Sequence, residues 1–410
     1  MLTPVIDSIC RNQGPRVLAG LIRRYGDFEL AEDALQDAFA KAIEVWPLQG
    51  LPDQPAAWLT TVARRRALDL IRRRRSGPLY TDEPPDIAAG DDDSGEPNLS
   101  GVEDDRLRLV FTCCHPAIAP AAQMALALRT LCGLSTREIA RAFLEPEATT
   151  AQRLVRTKRK ILEARIPFEV PSRENLPARL EVVLGVVYLV FNEGYAATDT
   201  PGLIRPDLCA EAIRLARLVV ELMPQEPEAL GLLAMMLLHD SRRDARVGAD
   251  GAIVPLDEQD RSRWNISAIA EGLRVLDTAL AQRRRGAYQV QAAISALHAR
   301  ALRAADTDWK QIAALYGGLL HERGDAVVEL NAAVALAMAE GAERGLQWIE
   351  QLSARGELAN YYLLPAAQAD LLRRLGRMDE ARGAYGAALA LVRNPAERRY
   401  LERRIAECGG

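Results

Sequence analysis

Aromatic residues are scarce in this sequence: they fill 5% of its 410 positions, with only six phenylalanines. A core without them has to be built from Leu, Ala, Val and Ile, and 49% apolar content supplies enough of these. Such a core favours packed helices over a sandwich or barrel, whose strands draw on aromatic and β-branched side chains, so the expected fold class is all-α. No uncharged apolar run approaches the ~18 residues of a membrane span, and Met1 is not followed by a basic and then apolar leader. Neither membrane insertion nor secretion is expected. Cys10, Cys113, Cys114, Cys132, Cys209 and Cys408 lack the spacing of a disulfide framework, which points to a reducing cytoplasm.

Signatures of chemistry are missing as well. Cys113-Cys114-His115 offers adjacent thiols that project apart, with no second ligand pair, and reads as a structural turn before Pro116. His239, His298 and His321 stand singly in helical stretches. There is no GxGxxG, Walker, HExxH or GxSxG arrangement. The chain is expected to have no metal, no cofactor and no enzymatic activity.

What is present is an uneven charge. The net charge of −4 conceals a block of +3 over residues 1–77 and one of +7 over 106–165, separated by ten acidic and no basic side chains in 78–105. Two basic modules on an acidic tether can address nucleic acid although the chain average is negative. In Glu29–Trp46 the positions Leu30, Ala34, Leu35, Ala38, Phe39, Ala42 and Ile43 recur at helical spacing, and Glu32, Asp33, Gln36 and Asp37 form the opposite, acidic face. Pro47 is expected to end this helix, with a loop following over 49–55. A second helix, from about Ala56 to Arg75, buries Trp58, Leu59, Val62, Ala63, Ala67, Leu70 and Ile71. Its remaining surface carries Arg64, Arg65, Arg66 and the run Arg72 to Arg75. Residues 77–101 hold proline, glycine and Asp91-Asp92-Asp93 without apolar periodicity, and read as a flexible linker.

Helical signals resume in the second basic block. Ala121–Leu131 ends at Cys132-Gly133, and Leu134 precedes Ser135-Thr136-Arg137-Glu138, a capping box that opens a short helix over 136–143. After a connector with Pro146, Thr149-Thr150-Ala151-Gln152 opens another helix over about 150–164. That helix is expected to bury Ala151, Leu154, Val155, Ile161 and Leu162, and to present Gln152, Arg153, Arg156, Thr157, Arg159 and Lys160. Two short helices, the second basic, have the outline of a helix-turn-helix whose second member enters a major groove.

The rest of the chain is helical in pattern. Leu180–Tyr188 and Leu208–Met223 have apolar stripes, Leu230–Leu238 is apolar nearly all round, and Gly248–Trp264 reads as an ordered loop. Ala369, Leu372, Gly376, Ala381, Tyr385 and Ala388 match the small, large, turn-glycine, small, aromatic, small pattern of a tetratricopeptide pair, although no regular 34-residue period is visible. Phe191-Asn192-Glu193-Gly194-Tyr195 reads as inter-helix packing and capping, with a ligand-binding corner around Tyr195 as the alternative.

With these residues in hand, the chain resembles bacterial RNA polymerase sigma factors of the extracytoplasmic-function group. Ala31-Glu32-Asp33-Ala34-Leu35-Gln36-Asp37-Ala38-Phe39 and Ala57-Trp58-Leu59-Thr60-Thr61-Val62-Ala63-Arg64-Arg65-Arg66-Ala67-Leu68-Asp69 resemble conserved region two. Gly133-Leu134-Ser135-Thr136-Arg137-Glu138-Ile139-Ala140 resembles region four, with Thr149 where simpler members usually have glycine. Thr112–Pro116, Phe191–Tyr195 and the loop around Asp250–Trp264 resemble a subgroup with a C-terminal helical extension.

The resemblance implies four segments: region two over 1–77, the acidic linker 78–104, region four over 105–166 and a tetratricopeptide-like regulatory extension over 167–410. It implies that Glu32, Asp33, Gln36 and Asp37 bind the clamp helices of the polymerase largest subunit, with the β flap as a further contact. Trp58, Arg64, Arg65, Arg66, Arg72 and Arg73 would serve −10 recognition and melting, with loop 49–56 taking an unstacked base; Trp58 by itself reads more readily as a core anchor. Thr150, Gln152, Arg153, Arg156, Arg159 and Lys160 would read the −35 element. It further implies promoter DNA and a YCII-related protein as partners, and a cytoplasmic protein that joins the nucleoid with polymerase. The competing readings are a helix-turn-helix regulator that never joins polymerase and a helical-repeat ligand sensor.

Overall fold

The computed structural model describes residues 3–75, 99–131, 133–143, 145–172, 174–196, 204–322 and 324–409. Among them the fold is all-α, with eighteen α-helices, three 3-10 turns and one isolated bridge, Val247 to Ile253. Two compact units divide at Val186/Val187.

The first unit opens with α1 (Thr3–Tyr25), α2 (Phe28–Gln49) and α3 (Pro55–Arg75), which pack on one another. Asp27 caps α2 by accepting from the Leu30 amide at 3.0 Å. Ala31, Ala34, Ala38 and Ala42 line its inner face with no exposed surface, so the neighbouring helices can approach closely. Pro47 does not stop this helix. It sits in the last turn, and Gly50, at φ 87°, ends the helix by donating its amide to the Trp46 carbonyl. Proline loses one hydrogen bond, but only a residue that turns left-handed terminates the ladder here.

Next come α4 (Leu99–Cys113), α5 (Pro120–Leu131), α6 (Thr136–Ala142) and α7 (Glu147–Glu163). The expected linker over 78–104 lies outside the described residues except for its last few, which belong to α4. Helix α4 packs on α1, and buried Asp105 accepts from Arg23 of α1 at 3.3 Å and from Arg108 at 3.2 Å. Gly133, at φ 63°, turns the chain after α5, and the capping box forms as the spacing requires. Glu138 Oε2 accepts from the Ser135 amide at 2.7 Å, and Ser135 Oγ accepts from the Glu138 amide at 3.2 Å.

Helix α7 departs from the expectation. It starts at Glu147, upstream of the second capping box, and its inner stripe is Thr150, Leu154, Thr157 and Ile161. Val155 and Leu162 lie outside, 60% and 45% exposed, and Ala151 is exposed too. Two threonines can face inward because each hydroxyl finds an acceptor: Glu145 for Thr150, and the Arg153 carbonyl at 2.7 Å for Thr157.

Helix α8 (Leu176–Tyr195) spans the division between the units, and the second unit continues with α9 (Pro206–Leu222), α10 (Pro227–Asp240), α11 (Ile266–Ala281) and α12 (Ala287–Arg300). The run Leu230–Leu238 is buried throughout, as an interior helix should be. It contacts both α11 and α12. Tyr195 is buried rather than exposed, stacked on Phe191 at 5.4 Å. A side chain at Gly194 would meet the Cys209 amide at 2.7 Å, so this glycine lets α8 and α9 touch. After α13 (Trp309–Glu322), α14 (Ala326–Glu340) and α15 (Ala342–Arg355) come α16 (Leu363–Arg374), α17 (Met378–Leu391) and α18 (Pro395–Glu407). Ala369, Leu372, Ala381, Tyr385 and Ala388 are buried in one cluster, and Gly376 turns between α16 and α17 at φ 76°.

Candidate nucleic-acid interface

Three helices of the first unit carry the residues singled out from sequence, and the structure sorts these into exposed charges and charges already bonded within the chain. On α2, Asp33 and Gln36 are exposed. Glu32 is different: its side chain is only 14% exposed, bonded to Lys158 Nζ of α7 and 3.8 Å from Arg129 Nε of α5. Asp37 accepts from Arg66 Nε of α3 at 2.5 Å, and this pairing holds the Arg66 guanidinium more firmly charged than usual. Two residues expected to serve different partners, Asp37 and Arg66, thus bond to each other and tie α2 to α3.

Along the rest of α3, Arg64, Arg65, Arg72 and Arg73 are exposed, and Arg72 lies 3.8 Å from Asp69. Trp58 is half-buried and packs edge-on against buried Trp46, with ring centroids 5.2 Å apart. That contact fits the core-anchor reading of Trp58. The loop between α2 and α3 carries exposed Leu51, next to exposed Leu48 on the last turn of α2.

On α7, Gln152, Arg156 and Lys160 are exposed and line a groove of about 340 Å³ that also includes Ala119 and Ala122. Arg159 is exposed and bonds Glu163 at 2.7 Å. Arg153 is held in a fork by Glu145, at 2.6 and 2.5 Å, and lies over the Phe143 ring. Those bonds, first from Arg153 and then from Thr150, draw the Glu145 carboxyl below its usual range. Thr150, expected to reach a base edge, is fully buried and bonded to Glu145 at 2.5 Å. Its hydroxyl belongs to the inner face of the helix, which corrects that expectation.

Sequence reasoning passed over Glu145, Arg129 and Lys158. Their roles depend on partners that helical spacing does not reveal, since Lys158 and Glu32 lie 126 positions apart. The Cys113 and Cys114 thiols are buried, and burial pushes Cys113 up to about 12 and raises Cys114 as well. Among the described residues no cluster of His, Cys, Asp and Glu is arranged to hold a metal ion. No helix among the described residues is long and apolar enough to cross a membrane.

Comparison with known proteins assigns the first module to a class. The family model for sigma-70 region 2 matches residues 11–77, and a family of unknown function, DUF6596, matches 179–280. An uncharacterized protein, R00370, of Rhizobium meliloti (strain 1021) is 43% identical over 406 residues, spanning 98% of this chain and 95% of that protein. A probable ECF RNA polymerase sigma factor, SigI, of Mycobacterium tuberculosis is 31% identical over 165 residues, 38% of this chain and 54% of that protein. No solved structure matches. The chain belongs to the sigma-70-like family of extracytoplasmic-function sigma factors, with a C-terminal extension that includes the DUF6596 segment.

Proposed function

We propose that this protein directs promoter-specific initiation of transcription as a dissociable subunit of bacterial RNA polymerase, supplying binding energy rather than covalent chemistry. The observation that carries this reading is the sigma-70 region 2 match over 11–77, on helices that expose acidic α2 positions and the arginines of α3. Asp33 and Gln36 are the residues of α2 available to the clamp helices of the largest subunit, and region four would contact the β flap. Arg64, Arg65, Arg72 and Arg73 neutralise phosphates around the −10 element, contacts that are salt-dependent and carry little sequence information. Repaying the few kcal/mol of an unstacked base falls to those contacts and to the loop carrying Leu51.

The α6–α7 pair acts as the helix-turn-helix that reads the −35 element, with Gln152, Arg156 and Lys160 facing the groove and Arg153 available once Glu145 yields it to DNA. The extension is a tetratricopeptide-like regulatory module with a YCII-related protein as a partner, and the protein works in the cytoplasm, joining the nucleoid with polymerase.

Run-off transcription with core enzyme on linear promoter libraries tests this directly. Specific start sites that depend on the protein, together with its co-purification with core, support it. DNA binding without attachment to core would instead identify a regulator that acts apart from polymerase. Asp33→Lys is the informative variant on α2: it should weaken core binding with unchanged thermal stability, because Asp33 is exposed. Unchanged binding would remove Asp33 from the interface.

A further inference from the structure

Inside the second unit, between the loop after α10 and helices α12, α13, α14 and α16, lies a cavity of about 470 Å³. This is the size of a small-molecule pocket, which typically measures roughly 300–1,000 Å³. One side is apolar, formed by Val334, Met338, Ala367 and Leu371, and Trp309 adds an aromatic face. The other side is charged, and its charges are unevenly satisfied.

Both carboxylates of the wall are already bonded. Asp370 accepts from Arg373 at 2.6 Å and Arg374 at 2.7 Å, and Arg374 reaches on to Asp257 at 3.0 Å. Arg261 has only neutral acceptors. Its Nη1 donates to the carbonyls of His298, at 2.6 Å, and Ala301, which anchors it at the end of α12. Its Nη2 reaches the Thr307 hydroxyl at 3.4 Å, and its Nε is buried with no acceptor among the described residues. Asp306, a carboxylate whose field reaches Arg261, is itself bonded twice by Arg303.

Arg261 and Thr307 both line the cavity, so the Nη2 donor and the Thr307 hydroxyl stand together at its wall, a cation and a hydroxyl that a carboxylate can bond at once. The Trp264 ring lies under the guanidinium at 4.8 Å and holds its plane. His298 stands edge-on to Trp309 at 5.1 Å; burial, then the fields of Arg242 and Arg261, push it down to about 4, so it is a neutral wall. An inorganic anion would satisfy Arg261 but leave the apolar side uncovered. A neutral apolar molecule would do the reverse.

We propose that this cavity binds a small organic acid with a flat apolar body, its carboxylate at Nη2 of Arg261 and the Thr307 hydroxyl, its ring between Trp309 and Met338. The site stands independently of the transcription reading.

Calorimetric titration of the full chain with 2-naphthoate tests it, alongside sodium sulfate, which offers the charge alone, and 2-naphthalenemethanol, which offers the body alone. Naphthoate should bind saturably at one site per chain, at least about tenfold tighter than either control, the loss expected when a charge-assisted pair goes unmade. Arg261→Lys keeps the charge and removes the planar guanidinium; Met338→Trp fills the cavity and leaves Arg261 intact. Each should weaken naphthoate binding about tenfold or more, with the helical circular dichroism of the parent. The proposal fails if naphthoate does not saturate at millimolar concentration, if either control binds as tightly, or if Arg261→Lys or Met338→Trp binds like the parent.

Discussion

Glu32 shows how much a single side chain can be diverted by its surroundings. It holds Lys158 and comes within 3.8 Å of Arg129, at a site from which most solvent is excluded. Removing one partner of such a group leaves charge stranded at a partly dry contact. Glu32→Lys should therefore lower unfolding free energy by about 2 kcal/mol, and adding Lys158→Glu should restore much of it. Urea titrations of the four proteins in the cycle measure this; equal losses with and without the second change would remove the interaction. His298 makes a second residue-scale case, governed by pH. Its ring is held down to about 4, against an ordinary 6.5, so the unfolded chain takes up a proton that the folded chain refuses. That stability is complete above about 6.5 and drains away as pH falls toward 4, on the order of 3 kcal/mol in all. NMR titration of the ring and acid-side denaturation of His298→Gln should show the low value and a flatter pH profile.

Helix α10 is apolar all round because it has neighbours all round, and its packing depends on one missing side chain. A Cβ at Gly231 would meet the Gln289 amide nitrogen of α12 at 2.7 Å. Backbone cannot yield as a flexible side chain does, so Gly231→Ala should cost about 1–3 kcal/mol despite the better helix propensity of alanine. Chemical denaturation followed by circular dichroism would check this, and a gain in stability would show that the two helices have room to separate. Helix α7 teaches a related lesson: threonines with local acceptors occupy its inner stripe, while Val155 and Leu162 remain outside. Hydrophobicity alone misjudged its rotation because a buried hydroxyl with a partner is inexpensive.

Across the whole molecule, the proposed function requires a chain of net charge −4 to meet nucleic acid through a few exposed arginines, not through its average field. Binding of the polymerase complex to promoter DNA should weaken as salt rises. Replacing Arg64, Arg65 or Arg73 with Gln should each reduce the log–log salt slope by about 0.7–0.9 while leaving sequence preference unchanged. Arg66→Gln should act instead on the α2–α3 contact, since its partner is Asp37. A filter-binding series across salt concentrations distinguishes these outcomes; an unaltered slope for all three exposed positions would place the phosphate track elsewhere.

The courses of α3, α5 and α6, the Ser135–Glu138 capping box, the interior character of Leu230–Leu238 and the α16–α17 pairing were legible in the linear order of residues. Each rests on side chains a few positions apart, and a helix brings such neighbours together whatever surrounds it. Tertiary structure alone decided which charges remain exposed, that Asp37 takes Arg66, that Glu32 takes Lys158, and that Arg261 lines a cavity. Those outcomes depend on groups brought together by packing between elements, for which local periodicity leaves no mark.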